Sequence, residues 1–220
     1  RTRGEGYSFE LKRAGGDLRL GRAFGDFNRV DLLYRLENVR VSDVADTATK
    51  DLKDELGDNV VSAVRLSYTH DTRDNIFNPK KGLLLANSVE LSGTALGGDK
   101  DFWKYTGSGG IFFQPFIENQ VLEFHATLGL ADETSDSPSV PIFERFFAGG
   151  ADTGRGYRER RIGPKDAATR DPIGGEALAV FNAEYTVPVV DFLKTAAFFD
   201  AGNVWKNISD FGEDGLRTGV

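Results

Sequence analysis

Apolar and polar residues alternate along most of the chain, with the period of two that is typical of a β-strand with one apolar face. The clearest example is Val121 to Ala131, where Leu122 and Phe124 alternate with Glu123 and His125. This run of about ten residues has the length of a tilted strand that crosses a membrane.

The same alternation predicts strands and turns along the rest of the chain. Further predicted strands are Tyr7 to Lys12, Leu18 to Gly21, Val30 to Glu37, Val60 to His70, Leu83 to Ser92, Phe102 to Ile117, Ala177 to Val187, Thr195 to Val204 and Leu216 to Val220. Predicted turns are Ala14-Gly15-Gly16, the Asx-rich Asp71 to Gly82, and Pro188 to Lys194. About nine or ten strands without a convincing helix indicate an all-β fold of successive antiparallel hairpins.

Residues Ser42 to Asn59 interrupt this pattern. The run is rich in Asp, Ala, Thr and Lys and lacks a sustained apolar stripe. We interpret it as a solvated excursion, with room for one short helix at Asp51 to Leu56.

Composition narrows the class of protein. The net charge of −7 argues against a nucleic-acid partner, and the absence of cysteine excludes disulfides. No apolar run approaches the ~18 residues of a membrane-spanning helix. The mean hydropathy of −0.35 suits a soluble protein or a transmembrane β-barrel, whose lipid-facing and lumen-facing residues average to such a value. Since the chain starts at Arg1 without a signal peptide, we expect an interior piece of a longer precursor.

Aromatic residues leave the same two alternatives open. They fit the belts of a barrel at the two membrane interfaces, or the core of a soluble sandwich. The set comprises Trp103, Tyr105, Phe112, Phe113, Phe116, Tyr185 and Trp205.

Strand parity places two acids on the polar face of neighbouring strands. Glu184 alternates with Phe181 and Tyr185, and Asp200 shares a face with Phe198. If the apolar faces point to lipid, both carboxylates point inward. Two interior carboxylates require a cation.

The stretch from Phe143 to Pro164 is too long for a hairpin turn and is rich in glycine and aromatic residues. Arg155 lies between Gly154 and Gly156, and glycine lets a backbone approach its neighbours closely. A guanidinium offers a planar fork to carboxylates. We therefore predict an inward-folded loop that brings Arg155 to Glu184 and Asp200; the alternative is a solvated arginine at a loop tip.

This loop resembles the sixth-loop signature of BamA-type outer-membrane barrel-assembly factors. The resemblance rests on Arg145 to Gly150, on Gly154-Arg155-Gly156-Tyr157 and on Ile162-Gly163-Pro164, with Gly149 and Gly150 as the paired glycines. Gly154 departs from the family, in which valine is common at this position.

Other motifs agree with the resemblance. The family pattern Phe-x-Asp-x-Gly is present as Phe198, Asp200 and Gly202, and the family's inward glutamate matches Glu184. The segment Asp71 to Gly82 resembles a further family turn. Together the motifs span most of the chain after Val60.

The resemblance implies a 16-stranded antiparallel transmembrane β-barrel preceded by POTRA domains. Residues 1–220 would then belong to one barrel domain, from about strand 5 into strand 14, without the first and last strands that form the lateral seam. The implied location is the bacterial outer membrane.

The implied function is non-enzymatic insertion and folding of β-barrel proteins. Its partners would be outer-membrane lipids, unfolded β-barrel substrates and accessory lipoproteins. The residues implied to hold the loop are Arg155, Gly156, Tyr157, Glu184, Phe198, Asp200 and Gly202, with Gly149, Gly150, Ile162, Gly163 and Pro164 shaping it.

Three other functions remain open: a two-partner-secretion pore, a family variant with a lipase upstream, and a diffusion porin. No catalytic residue, cofactor or metal site is predicted within the chain. Its two histidines, His70 and His125, are far apart in sequence, and the residues after Asp71 lack the spacing of a calcium-binding EF-hand.

Overall fold

The chain folds into one antiparallel sheet. A computed structural model describes residues 9–44, 46, 48–115, 119–134, 139–190 and 193–220. The strands pair in chain order, β1 to β9, so the described sheet is a continuous meander. They are β1 Glu10–Phe24, β2 Asn28–Ser42, β3 Gly57–Asp71, β4 Gly82–Ser92, β5 Phe102–Phe113, β6 Val121–Glu133, β7 Ala177–Val190, β8 Leu193–Trp205 and β9 Arg217–Gly219. The all-β antiparallel prediction is confirmed.

Helices occupy little of the chain: α1 covers Lys50–Lys53, and two 3-10 turns cover Thr94–Leu96 and Ile208–Asp210. Helix α1 lies in the predicted polar excursion, where the Thr49 hydroxyl accepts a hydrogen bond from the Leu52 amide at 3.1 Å. Across the described residues, the helices are too short and too polar to cross a membrane.

Strand connections differ between the two ends of the sheet. The connections after β1 and β3 are three and ten residues long, whereas those after β2 and β6 are the longer segments 43–56 and 134–176. Short turns at one end and longer loops at the other are typical of outer-membrane barrels, in which the longer loops are extracellular. We call these the turn end and the loop end.

The outer face of the sheet is apolar. Leu32 lies opposite Leu66, and Leu66 opposite Val89, and all three side chains are exposed. Exposed leucine, valine, isoleucine and aromatic side chains continue this face on β1 to β5, β7 and β8. An apolar surface of this extent marks contact with lipid or another apolar partner.

The inner face carries the core, which lies between the strands and the long loop 134–176. Phe102, Val61 and Leu178 from the strands pack in one buried cluster with Phe146 and Ile162 from the loop. The loop contacts strands near both edges of the sheet: Glu144 contacts Arg13 on β1, and Arg155 contacts Asp200 on β8. The sheet therefore curls around the loop as a partial barrel.

The predicted turn at Ala14-Gly15-Gly16 is wrong, because β1 runs through it without interruption. Gly15 pairs with Glu37, and a Cβ atom at Gly15 would lie 2.3 Å from the Leu36 carbonyl oxygen. The glycine permits close approach of β2 and does not turn the chain.

Several boundaries also differ from prediction. β5 ends at Phe113, before the predicted Ile117, which lies outside the described residues together with Tyr7. The predicted connection Pro188 to Lys194 is largely strand, since Val190 pairs with Leu193 across a bulge near Pro188. A local irregularity in the ladder explains why alternation alone misplaced this turn.

The aromatic residues do not all behave as a membrane belt. Phe113 is exposed, but Phe112 and Trp205 are buried, and Phe116 lies outside the described residues. Phe112 points inward and contacts the His125 ring edge-on. Trp205 packs on Phe211 from the connection after β8.

Candidate functional site

Arg155 lies inside the curled sheet, where its guanidinium binds two wall carboxylates. Its Nε and Nη2 donate to the two carboxylate oxygens of Asp200 at 2.9 and 2.7 Å, and its Nη1 donates to Glu184. The Arg155 backbone amide donates to Asp200 as well, at 2.8 Å. We call Arg155, Glu184 and Asp200 the Arg155 cluster.

The strands position these acids by register. Asn182 lies opposite Asp200, and Glu184 lies opposite Phe198, so all four residues point to the inner face. Asn182 donates to Asp200 at 2.9 Å, and the Phe198 ring centroid lies 3.9 Å from the Arg155 guanidinium carbon. The ring and the acids hold the cation from several sides.

Partial burial strengthens the ionic interactions within the Arg155 cluster. The Asp200 side chain is only 2% exposed, whereas those of Arg155 and Glu184 are each 25% exposed. The hydrogen bond to Asp200 raises the pKa of Arg155 further above its ordinary value, so the guanidinium stays charged at any relevant pH. Removing one partner of such a pair costs about 3–5 kcal/mol, since it leaves a buried charge uncompensated.

Residues after Arg155 continue the attachment. Gly156 has a φ of +88°, a left-handed conformation that turns the chain, and the Tyr157 hydroxyl donates to the Thr218 carbonyl on β9 at 3.2 Å. Gly202 also lies on the inner face of β8 but packs against Ala179 and Val180 on β7. The resemblance implied that Gly202 helps to hold the loop, but in the structure it allows close packing of β8 against β7 and does not contact Arg155.

The remaining glycine and proline positions shape the loop. Gly149 and Gly163 have φ values of +110° and +105°, and Gly150 has +94°. Ile162 is buried and forms an antiparallel bridge with Ala148, and the Pro164 carbonyl accepts from the Ile173 amide at 3.2 Å. These residues fold the loop back on itself without contacting the carboxylates.

Gly154, where the family usually has valine, is buried. A Cβ atom there would lie 2.6 Å from the Ile162 Cδ1 atom, so the isoleucine side chain occupies the space that valine would take.

Sequence reasoning missed a second set of charged residues on the loop. Glu144 is buried beside Arg13, Arg35 and Lys104. Arg145 is also buried, and its Nη1 atom lies 2.9 Å from a carboxylate oxygen of Asp51 on α1. The signal was present, because adjacent charged residues between aromatic residues are costly to bury unless each is paired.

The histidines do not form a site. His70 on β3 hydrogen-bonds Asn28 at 2.8 Å, and the ring of His125 on β6 contacts the Phe112 ring edge-on. The segment after Asp71 is a structured turn, as predicted: Asp71 pairs with Arg73 at 2.8 Å, and Asp74 accepts from the Lys80 and Lys81 amides.

Three carboxylates meet at the loop end. Asp132, Glu133 and Glu176 each present an oxygen within 4.8 Å of the others, which is a spacing that a divalent cation tolerates. Burial, reinforced by the neighbouring Glu133, raises the pKa of Glu176 from 4.5 to about 7. Protonation of Glu176 is therefore one way to relieve this crowding.

A stability change with pH follows from Glu176. Because its pKa is higher in the folded protein than in the unfolded chain, the folded state binds the extra proton, and the free energy of unfolding should fall as pH rises from about 4.5 to 7. The loss should be on the order of 2–3 kcal/mol. Thermal unfolding of the full-length protein in detergent, followed by its shift on unheated gels, measures this. Glu176→Gln should flatten the profile over that range, and an unchanged profile would contradict the assignment.

Comparison with known proteins gives the family. The Omp85 superfamily domain matches residues 1–218. The outer membrane protein assembly factor BamA of Nitratidesulfovibrio vulgaris is 33% identical over 218 residues, covering 96% of this chain and 27% of that protein. A SAM50-like protein of Schizosaccharomyces pombe is 32% identical over 169 residues, covering 74% of this chain and 34% of that protein.

A solved structure shows the same fold. The crystal structure of BamA from Haemophilus ducreyi lacking POTRA domains 1–3 superposes with a TM-score of 0.79 at 19% identity, covering 96% of this chain and 47% of that chain. The chain spans about a quarter of the length of the N. vulgaris BamA and about a third of the length of the S. pombe SAM50-like protein. The bacterial relatives are named outer membrane protein assembly factors, which is consistent, together with the apolar outer face, with location in the bacterial outer membrane. Because the Omp85 superfamily domain matches residues 1–218 and the N. vulgaris BamA is 33% identical over nearly the whole chain, this chain belongs to the Omp85 superfamily.

Proposed function

We propose that this chain is part of a protein that folds and inserts β-barrel proteins into the outer membrane without a covalent reaction. The observation that carries the proposal is the Arg155 cluster, which fixes a long interior loop to the wall of a sheet whose outer face is apolar. The similarity to proteins named as assembly factors supports it.

The physical need for such a protein comes from unpaired backbone. A nascent barrel exposes strand edges, and their N–H and C=O groups cannot enter hydrocarbon without partners. A barrel wall that offers a strand edge for pairing lowers this barrier. Arg155, Glu184 and Asp200 face the interior, so we assign them to holding the loop and the wall shape rather than to contact with substrate.

The proposed partners follow from the apolar outer face of the sheet and from the similarity to assembly factors. The apolar outer face suits outer-membrane lipid, and the substrates are unfolded β-barrel proteins; accessory lipoproteins belong to the same proposal. We also assign residues 1–220 to a single barrel domain of a longer protein.

The test is an assembly assay with the full-length protein. Liposomes with and without the protein receive a urea-unfolded β-barrel substrate, and folded substrate is counted by its shifted mobility on unheated gels. We expect faster folding in liposomes that hold the protein. Equal folding rates in the two samples would contradict the proposal, and a stable open conductance without assembly would indicate a pore instead.

A further inference from the structure

The loop also carries an acid that binds cations on the opposite part of the sheet. The Glu144 side chain is 5% exposed, and its carboxylate lies 3.1 Å from Arg35 on β2 and 3.5 Å from Lys104 on β5. Arg13 on β1 approaches the same carboxylate at 3.5 Å. The neighbouring positive charges outweigh burial and keep the pKa of Glu144 below its ordinary value, so the residue is ionised.

Backbone contacts reinforce this attachment. Lys104 donates to the Glu144 carbonyl at 2.7 Å, and Arg13 donates to the Phe143 carbonyl at 2.9 Å. Lys104 also lies 4.9 Å from the centroid of the Phe146 ring. The segment Phe143 to Phe146 is thus held by side chain and main chain together.

The wall needs the acid from the loop. Among the described residues, the strands contribute four cations around this point, Arg13, Arg35, Arg65 and Lys104, and two acids in contact with them, Glu37 and Glu90. Without Glu144, the positive charge of this group, in which Arg35 and Lys104 are largely buried, would exceed its negative charge by two. Glu144 therefore neutralises part of the positive charge on the wall at β1, β2 and β5. Arg155 does the reverse at β7 and β8, where it neutralises the negative charge of Glu184 and Asp200.

The two attachments are far apart in the sheet. In the strand order, β2 and β8 are separated by five strands, yet the loop contacts Arg35 on the first and Asp200 on the second. Eleven positions separate Glu144 from Arg155 in the chain. The segment between them connects two different parts of the curled wall.

We propose that Glu144 is a second anchor of the loop and that residues 144–155 form a brace, which sets the distance between the β1-β2 and β7-β8 parts of the wall. Opposite charges at its two ends fix the loop's direction, because exchanging the ends would place like charges together. In assembly, Glu144 is a positioning residue. That part of the inference rests on the proposed function, whereas the brace itself does not.

The first experiment measures distance. Spin labels on cysteines introduced at the exposed positions Asn38 and Ser209 in the full-length protein report the separation of the two wall parts. Glu144→Gln should broaden the distance distribution, and Glu159→Gln, the same chemical change at an exposed loop position, should leave it unchanged. A distribution in Glu144→Gln as narrow as in the control would overturn the brace.

The second experiment measures assembly. Glu144→Gln should slow substrate folding about tenfold, because a wall cation loses its buried partner and the wall relaxes. A brace needs both ends, so Glu144→Gln combined with Arg155→Ala should be no slower than the slower single variant. Glu144→Asp, which keeps the charge, should fall between wild type and Glu144→Gln, and mobility on unheated gels shows that each variant is folded.

The outcomes separate the two proposals. No assembly by the wild-type protein would contradict the proposed function, while the distance measurement would still test the brace. Broadened distances with wild-type assembly rates would overturn the positioning role of Glu144. Effects that add in the double variant would overturn the brace in favour of two independent attachments.

Discussion

Replacing Arg155 with alanine is expected to remove most assembly activity, by about tenfold or more, while the protein still inserts into the membrane. Asp200 would remain on the inner wall without its cation, and the loop would lose its attachment to β7 and β8. The expected loss of stability is about 3–5 kcal/mol. The liposome assay measures activity, and the unfolding temperature on unheated gels measures stability.

Three further variants test whether the loss of activity in Arg155→Ala comes from the loss of the Arg155 cluster. Arg158→Ala, at an exposed arginine of the same loop, is the matched control and should behave as wild type. Arg155→Lys should recover little activity, because an ammonium cannot reproduce the planar fork to both oxygens of Asp200. Asp200→Asn added to Arg155→Ala should recover stability but not activity, since it removes the orphaned charge without restoring the attachment. Wild-type assembly by Arg155→Ala would contradict the role of the Arg155 cluster.

Gly149→Val is expected to misfold the loop and lower assembly to about the level of Arg155→Ala, because the loop then presents Arg155 incorrectly. Gly149 has a φ of +110°, and a Cβ atom there would lie 2.5 Å from the Arg158 carbonyl oxygen, which is backbone and cannot move aside freely. Backbone strain alone costs about 1–3 kcal/mol. Tryptic cleavage among Arg158, Arg160 and Arg161 should become faster in the folded protein and reports the loop directly.

Gly16→Val is the matched control for this change. Gly16 lies in the extended strand β1, and a Cβ atom there would meet nothing within 4 Å. Its tryptic pattern and assembly rate should match those of wild type. Identical tryptic patterns for Gly149→Val and Gly16→Val would contradict the requirement for glycine at position 149.

Much of this architecture could be predicted from the sequence, because side-chain direction in a strand follows from parity. The alternation around Glu184 and Asp200 was enough to predict that both acids share a face, and an unpaired pair of acids predicts a cation nearby. The glycine-flanked Arg155 was the evident candidate, and the resemblance of its loop to a known signature gave the family. These inferences use only neighbours in the chain and the cost of burying charge.

Other contacts between residues that are distant in the chain could not be predicted from the sequence. Gly15 appears as a turn residue in sequence, yet it permits close approach of β2, which only the register reveals. Glu144 finds its cations 109 and 131 positions away, on Arg35 and Arg13. No local pattern specifies such a pairing, because it depends on how far the sheet curls and where the loop crosses it. Local alternation is enough to tell which side chains face inward, but which of them come into contact depends on the curvature of the sheet and the path of the loop.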